Sequence, residues 1–151
     1  MALSGAGEEQ PPTSVAPEVD VVSVDIEPNN CDLAAPLQIM LRFSHETAIP
    51  EARWRIRFTV DTLKKQKIVD FGETETRDYP AAASSSSANE VRWGVENLEM
   101  PPKLAKDVLK YDGLLVFSLM QNDSVLLDVN FVTQVSENSD GTMTRTIMSP
   151  V

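Results

Sequence analysis

Strict alternation of apolar and polar residues marks the segment 52–60 as a β-strand. Its apolar members are Trp54, Ile56, Phe58 and Val60, and its polar members are Arg53, Arg55, Arg57 and Thr59. Successive side chains of a strand point to opposite faces, so the first set enters a core and the second forms a largely cationic surface. The arginines are too widely spaced for a single ion pair. The pattern predicts that this surface faces solvent or contacts an acidic partner.

Six other segments have strand-like patterns, which gives seven predicted strands. They span 19–26, 37–43, 53–61, 68–77, 89–95, 114–120 and 125–135. The sixth strand is almost continuously apolar, with Ser118 as its one polar residue, and this is typical of a central strand covered on both faces. Gly72 in the fourth strand is a candidate β-bulge.

One helix is predicted among the strands. After two prolines, the segment 103–110 places Leu104, Val108 and Leu109 at helical spacing. About seven short strands with a single short helix predict an all-β, immunoglobulin-like β-sandwich. Since Cys31 is the only cysteine, the disulfide of antibody domains is absent, and the predicted likeness is one of architecture.

The composition changes at both ends of the chain. Residues 1–17 contain mainly small and polar side chains and predict a disordered tail. The sandwich is expected to occupy residues 18–136, and residues 137–151 are expected to form a flexible C-terminal tail. The few apolar residues of that tail are interpreted as stray side chains or as a short docking motif. Four consecutive serines within 81–88 predict a flexible linker.

Acidic residues outnumber basic ones. The 23 Asp and Glu against 13 Lys and Arg give a formal net charge of −10. This balance argues against direct binding to nucleic acid, whose phosphates attract Lys and Arg, and favours a basic protein partner or solubility alone. Six basic residues nevertheless fall in one predicted hairpin, namely Arg53, Arg55, Arg57, Lys64, Lys65 and Lys67. The charge is therefore unevenly distributed.

Groups suited to catalysis or metal binding are few. His45 is the only histidine and Cys31 the only thiol, so a zinc site would lack two of its usual four ligands. The six glycines are scattered and form no phosphate-binding loop. We therefore expect no catalytic residues, no metal and no cofactor, and we do not expect an enzyme.

The same composition carries expectations about location. No stretch approaches the roughly 20 apolar residues of a spanning helix, so no membrane insertion is expected. One thiol and the lack of a signal-like apolar run favour a reducing compartment, the cytoplasm or the nucleus. A monomer is expected.

Three segments of the chain resemble the anti-silencing-function family of histone H3–H4 chaperones. They are Pro36-Leu37-Gln38-Ile39 through Phe43, Trp54-Arg55-Ile56-Arg57-Phe58, and the hairpin 113–135. The first two are similar to a Pro-Phe-Gln-Phe strand and a Trp-Lys-Ile-Ile-Tyr strand of that family. The likeness covers about residues 21–138 and implies an acidic, immunoglobulin-like domain that binds protein. Most matching positions are core residues, so the resemblance concerns the fold more than the function.

The positions of the family's histone-binding face differ from this chain. Leu114 and Val116 are acceptable counterparts of two valines that enter the family's sixth strand. Asp128 stands where the family has an arginine, Val132 where it has a tyrosine, and Arg57 where it has an isoleucine. A lysine-rich turn replaces one that carries an aspartate. The resemblance therefore implies the same surface with altered contacts.

We predict a protein-binding surface on the polar side of the sheet. It consists of Arg55, Arg57, Thr59, Leu114, Val116, Asp128 and Val132. Apolar positions surrounded by Arg and Asp suit such a face, and an exposed edge strand offers a second route for a partner. The alternative is that Arg57 and Asp128 form only a surface pair worth under about 1 kcal/mol.

Three functions fit these observations. The first is a non-enzymatic scaffold or adaptor of anti-silencing-like fold that binds a protein partner. The second is a divergent histone H3–H4 chaperone. The third is a lipid-carrier β-sandwich, which requires a hollow core, whereas the aromatic residues of the strands are numerous enough to fill one.

Overall fold

The computed structural model describes residues 18–84, 87–98 and 102–151, which form ten β-strands and one α-helix. The strands are β1 (Asp20–Glu27), β2 (Cys31–Asp32), β3 (Leu37–Ser44), β4 (Ile49–Asp61), β5 (Gln66–Glu73), β6 (Arg77–Tyr79), β7 (Asn89–Val95), β8 (Gly113–Gln121), β9 (Ser124–Glu137) and β10 (Met143–Ile147). The helix α1 spans Pro102–Lys110. The predicted all-β fold with one short helix is confirmed.

The strands form two antiparallel sheets. The larger sheet has the order β2-β10-β9-β8-β4-β5, and β6 also pairs with β4. The smaller sheet has the order β1-β3-β7. The long strands β4, β8 and β9 lie side by side in the larger sheet, where they provide a broad continuous surface.

Aromatic side chains from both sheets meet between them. Phe43 of β3 contacts Trp54 of β4, with ring centroids 5.3 Å apart. Trp93 of β7 contacts Phe117 of β8, with ring centroids 5.7 Å apart. Because the two rings of each pair belong to different sheets, the sheets face each other across a shared core. The apolar side of the segment 52–60 enters this core, as the alternation predicts.

The helix α1 completes the core at one end. Leu104 and Val108, which are one helical turn apart, are buried in the same apolar cluster as the inner faces of the sheets. The helix packs against β9 and β4. The predicted helix is therefore present, and its apolar side serves the core.

The predicted fourth strand, 68–77, is two strands in the structure. β5 pairs with the second part of β4 and β6 with the first part. The bulge predicted at Gly72 is confirmed, because the pairing shifts between Ile56 and Arg57 and Gly72 has a φ of +97°. Glycine adopts this backbone conformation without steric cost. The bulge sets which residues of β5 lie opposite the arginines of β4.

The prediction of a flexible C-terminal tail is wrong for Met143–Ile147, because this segment forms β10 and pairs with β9. Arg145 of this strand is fully buried. Its guanidinium donates to the carbonyl oxygens of Leu33, Ala35 and Pro36 at 2.7–2.8 Å. Burial lowers the pKa of Arg145, and the carbonyl oxygens compensate the loss of hydration. Because this inward position holds an arginine, the alternation of apolar and polar residues is interrupted, and the strand was not predicted from the sequence.

Two predicted segments lie wholly or partly outside the described residues. The tail 1–17 is one, and Ser85 and Ser86 of the predicted linker are the other. In the described part of that linker, Ala82 forms an isolated antiparallel bridge with His45.

Candidate protein-binding face

The strand register brings the seven predicted site residues onto one surface. They are Arg55, Arg57 and Thr59 of β4, Leu114 and Val116 of β8, and Asp128 and Val132 of β9. Their chain neighbours Phe58, Leu115 and Phe131 are buried in the core, so the seven side chains point to the opposite side of the larger sheet. We call this side the outer face. Its role in binding stays a prediction.

A row of four apolar residues and Thr59 crosses the outer face, and we call it the apolar row. Cross-strand pairing aligns Ile68 of β5, Thr59, Leu114 and Val132, and the Met148 amide donates to the Val132 carbonyl at 2.8 Å. Four adjacent strands and the segment that follows β10, at the usual strand spacing, make the row about 19 Å long. Its two ends are open to solvent, because Ile68 is 53% exposed and Met148 is 42% exposed. The row is long enough to contact an extended segment of a partner.

Acidic residues of β5 neutralise two arginines beside the row. Arg53 forms an ion pair with Glu73, and Arg55 forms one with Asp70, each at 2.9 Å. The backbone amide of Gly72 and the Arg55 guanidinium lower the pKa of Asp70. The arginine surface therefore faces solvent in part, which is one of the two alternatives predicted, and the acidic groups that meet these two arginines come from the same chain.

The third arginine is connected to Asp128 through a buried hydroxyl. Arg57 donates to the Ser118 hydroxyl oxygen at 3.3 Å, and that hydroxyl donates to the carboxylate of Asp128. Ser118 is fully buried. Arg57 and Asp128 thus form a three-strand network with Ser118 at its centre rather than the direct surface pair considered as the alternative. The network is preorganised, since each side chain is held by its neighbour.

Four residues of the outer face were missed by the sequence interpretation. They are Ile68, Asp70, Ser118 and Met148. Ser118 did carry a signal, because it is the one polar residue of its strand. The other three depend on the register of β5 and on the course of the chain after β10. No local pattern marks them.

The histidine and the cysteine have structural positions. His45 is buried, and its Nδ1 lies 2.6 Å from the carbonyl oxygen of Thr47 while its Nε2 lies 2.8 Å from the Asn89 amide nitrogen. Both ring nitrogens are therefore occupied by neighbouring groups. The Cys31 thiol is directed to the Pro28 carbonyl oxygen. Within the described ranges, no three side chains converge as a set of metal ligands.

Comparisons with known proteins add no identity. No model of a protein family matches the chain, and no curated protein matches it significantly. In the part of the chain that the structure describes, no helix has the length and apolar character needed to cross a membrane. The geometry of the outer face is therefore the basis for a functional proposal.

Proposed function

We propose that this chain is a non-enzymatic protein-binding module, a scaffold or adaptor, that contacts its partner through the outer face of the larger sheet. The observation that carries the proposal is the apolar row beside the Arg57–Ser118–Asp128 network. Partly exposed apolar side chains next to fixed polar groups are the composition of protein-binding surfaces. The apolar row supplies burial, and the network supplies oriented polar groups.

The charges beside the row suit a partner with a mainly apolar contact strip. The acidic groups of β5 already neutralise Arg53 and Arg55. A strongly acidic partner would have to displace these groups, and the exchange would gain little. A partner segment with alternating apolar side chains would instead cover the row from Ile68 to Met148.

A divergent histone H3–H4 chaperone of anti-silencing-like fold is the second candidate. The net charge of −10 favours it, because histones are basic. Asp128 is held by Ser118 on the outer face, where it is available to a basic partner. The third candidate, a lipid carrier, is disfavoured by the aromatic rings that meet between the sheets.

The outer face is tested by adding charge to the exposed ends of the row. Ile68→Asp with Met148→Asp is the test variant, and Gln38→Glu with Asn97→Asp is the control with the same change of charge. Gln38 and Asn97 are exposed, and neither belongs to the larger sheet. Immobilised protein is used to capture binders from extract of its source cells, quantified by mass spectrometry. We expect one or more proteins that the wild type and the control retain and the test variant loses.

A captured protein is then titrated into isotope-labelled wild type, alongside purified H3–H4. Saturable amide shifts centred on Leu114, Val116 and Val132 support the outer face as the binding site. Saturable shifts with H3–H4 at the same residues identify the chaperone function. Binders that both variants lose equally, or shifts confined to other surfaces, contradict the proposal.

A further inference from the structure

All six lysines of the chain lie in two segments that meet at one end of the molecule. Lys64, Lys65 and Lys67 belong to the turn between β4 and β5, and Lys103, Lys106 and Lys110 belong to α1. The two segments touch, since Lys67 and Asp107 form an ion pair. We call this region the lysine end. It contains almost half of the chain's 13 basic residues.

The charge of the lysine end is opposite to that of the rest of the molecule. Residues 61–67 and 102–112 together contain six lysines and three aspartates, Asp61, Asp107 and Asp112. Their formal charge of +3 leaves −13 on the remaining residues. The molecule is therefore strongly polarised, and an anionic surface would attract it by this end.

An apolar side chain projects from the same end. Leu63 is 89% exposed, more than any other large apolar residue that the structure describes. Thr62 holds the turn closed, because its hydroxyl oxygen accepts from the Lys65 amide at 3.2 Å and its own amide donates to the Lys65 carbonyl at 3.0 Å. Leu63 is thus presented at the apex of a hydrogen-bonded turn, next to two exposed lysines.

A groove lies between this turn and the helix. It has a volume of about 350 Å³, and it is lined by Thr62, Leu63, Lys64, Lys65, Lys67, Asp107, Lys110 and Tyr111. The volume is within the range of sites for small ligands. Ammonium groups on several sides of one groove match the phosphate of a lipid headgroup, which accepts hydrogen bonds from all directions.

We propose that the lysine end docks on an anionic phospholipid surface, with Leu63 entering the interface and the lysines around the groove contacting headgroup phosphates. Peripheral segments that combine an apolar group with several lysines bind anionic membranes in this way. The interaction is superficial and reversible. It uses an end of the molecule that the outer face does not include.

The shape of the lysine end favours a lipid surface over an acidic peptide. Leu63 is 89% exposed although it lines one side of the groove, so a flat interface would cover more of it than a peptide lying in the groove. Lysine also differs from arginine in its interactions. Its ammonium group attracts anions as a point charge, whereas the planar guanidinium of arginine forms two parallel hydrogen bonds with one carboxylate.

Vesicle sedimentation with the full chain tests the proposal. The probes are vesicles of phosphatidylcholine alone and vesicles in which a third of the lipid is phosphatidylserine, at low and at physiological ionic strength. We expect binding only to the second kind, weakened by salt. Lys64→Glu with Lys65→Glu should reduce the binding constant at least about 30-fold, and Leu63→Ser should reduce it about tenfold.

The matched control is Arg77→Glu with Arg92→Glu, which changes the net charge equally at exposed positions away from the lysine end. Its binding should stay within about twofold of wild type at physiological ionic strength. Circular dichroism verifies that every variant is folded. The proposal is overturned if wild type ignores anionic vesicles, if the control loses binding as the lysine variant does, or if the lysines bind a glutamate-rich peptide and no vesicle.

Discussion

The outer face of the larger sheet and the lysine end contain nine of the 13 basic residues, but their charges have different surroundings. On the outer face, Arg53 and Arg55 each form an ion pair with an acidic residue of β5. At the lysine end, the one ion pair within the described residues is that of Lys67. Lys64 and Lys65 are exposed. The first region is neutralised by the fold, and the second remains cationic.

The strand register explains this difference. The arginines occupy alternate positions of β4, so the paired strand β5 places acidic side chains beside them. Lys64 and Lys65 fall in the turn, where there is no residue opposite on a neighbouring strand. In the sequence the two groups look like one basic cluster of a hairpin. The comparison teaches that position relative to the turn, rather than the number of cations, decides which charges are free to bind.

The largest loss of stability is expected from a substitution at Gly113. This residue connects the two regions, because it follows α1 and is the first residue of β8. A Cβ atom at this position would overlap the ring of Phe58, and that ring is 1% exposed and cannot move into solvent. Gly113→Ala should therefore lower the free energy of unfolding by about 3 kcal/mol. Chemical denaturation measures this change.

Gly72→Ala is the control for Gly113→Ala. Its Cβ would have open space around it, although the positive φ of Gly72 makes the backbone unfavourable. The expected loss is only about 1 kcal/mol. If both variants lose the same stability, close packing at Gly113 does not fix how the helix and the sheet are joined.

The second largest effect is expected at the centre of the outer-face network. Ser118→Ala removes the hydroxyl that receives a hydrogen bond from Arg57 and donates one to Asp128. The partly buried Arg57 guanidinium and the exposed Asp128 carboxylate lose their shared partner, so the variant should be less stable by about 2 kcal/mol. Thermal and urea denaturation measure the loss.

Ser136→Ala provides the matched control, because Ser136 is exposed on β9. Its effect should stay within about 0.5 kcal/mol. A double-mutant cycle of Ser118→Ala with Asp128→Asn should give a coupling energy of about 1 kcal/mol. If the stability losses of the two single variants simply add, the network does not act as a unit. The polar groups of the outer face would then not be held in place by one another, unlike what the comparison with the lysine end assumes.

The sequence predicted the part of the fold that follows from local alternation. The strands with apolar residues at every second position, such as β3 and β4, were found because one face of each is buried. β10 was missed because Arg145 occupies an inward position where a hydrophobic residue was expected. The division between β5 and β6 was missed because it depends on two different parts of β4.

The candidate site, like the fold, was predicted only in part. Alternation in β4 supplied three of the seven residues, the resemblance implied the other four in β8 and β9, and the strand register places all seven on one face. The pairing of Arg55 with Asp70 could not be predicted, because it depends on the register of β5 against β4, which a bulge alone does not set. The apolar row depends on Met148, which lies in the segment interpreted as a flexible tail. Long-range pairing, rather than side-chain type, is the missing information.

The smallest effect on stability is expected for Asp70, which is exposed on the outer face. The Gly72 amide and Arg55 lower the pKa of this carboxyl in the folded chain, so the ionised form stabilises the fold. This contribution is complete above the ordinary carboxyl pKa of about 4 and disappears as the pH falls through the lowered value. Asp70→Asn should therefore cost under about 1 kcal/mol at neutral pH, since exposed ion pairs are weak.

The pH dependence separates this small contribution from a general effect of charge. The stability difference between wild type and Asp70→Asn should shrink as the pH falls from neutral to strongly acidic, and urea denaturation at each pH measures it. Asp123→Asn, in the exposed turn between β8 and β9, removes the same charge without touching the arginines. If both variants lose equal stability at neutral pH, the arginines gain nothing specific from β5. The outer face would then be as open to an acidic partner as the lysine end is.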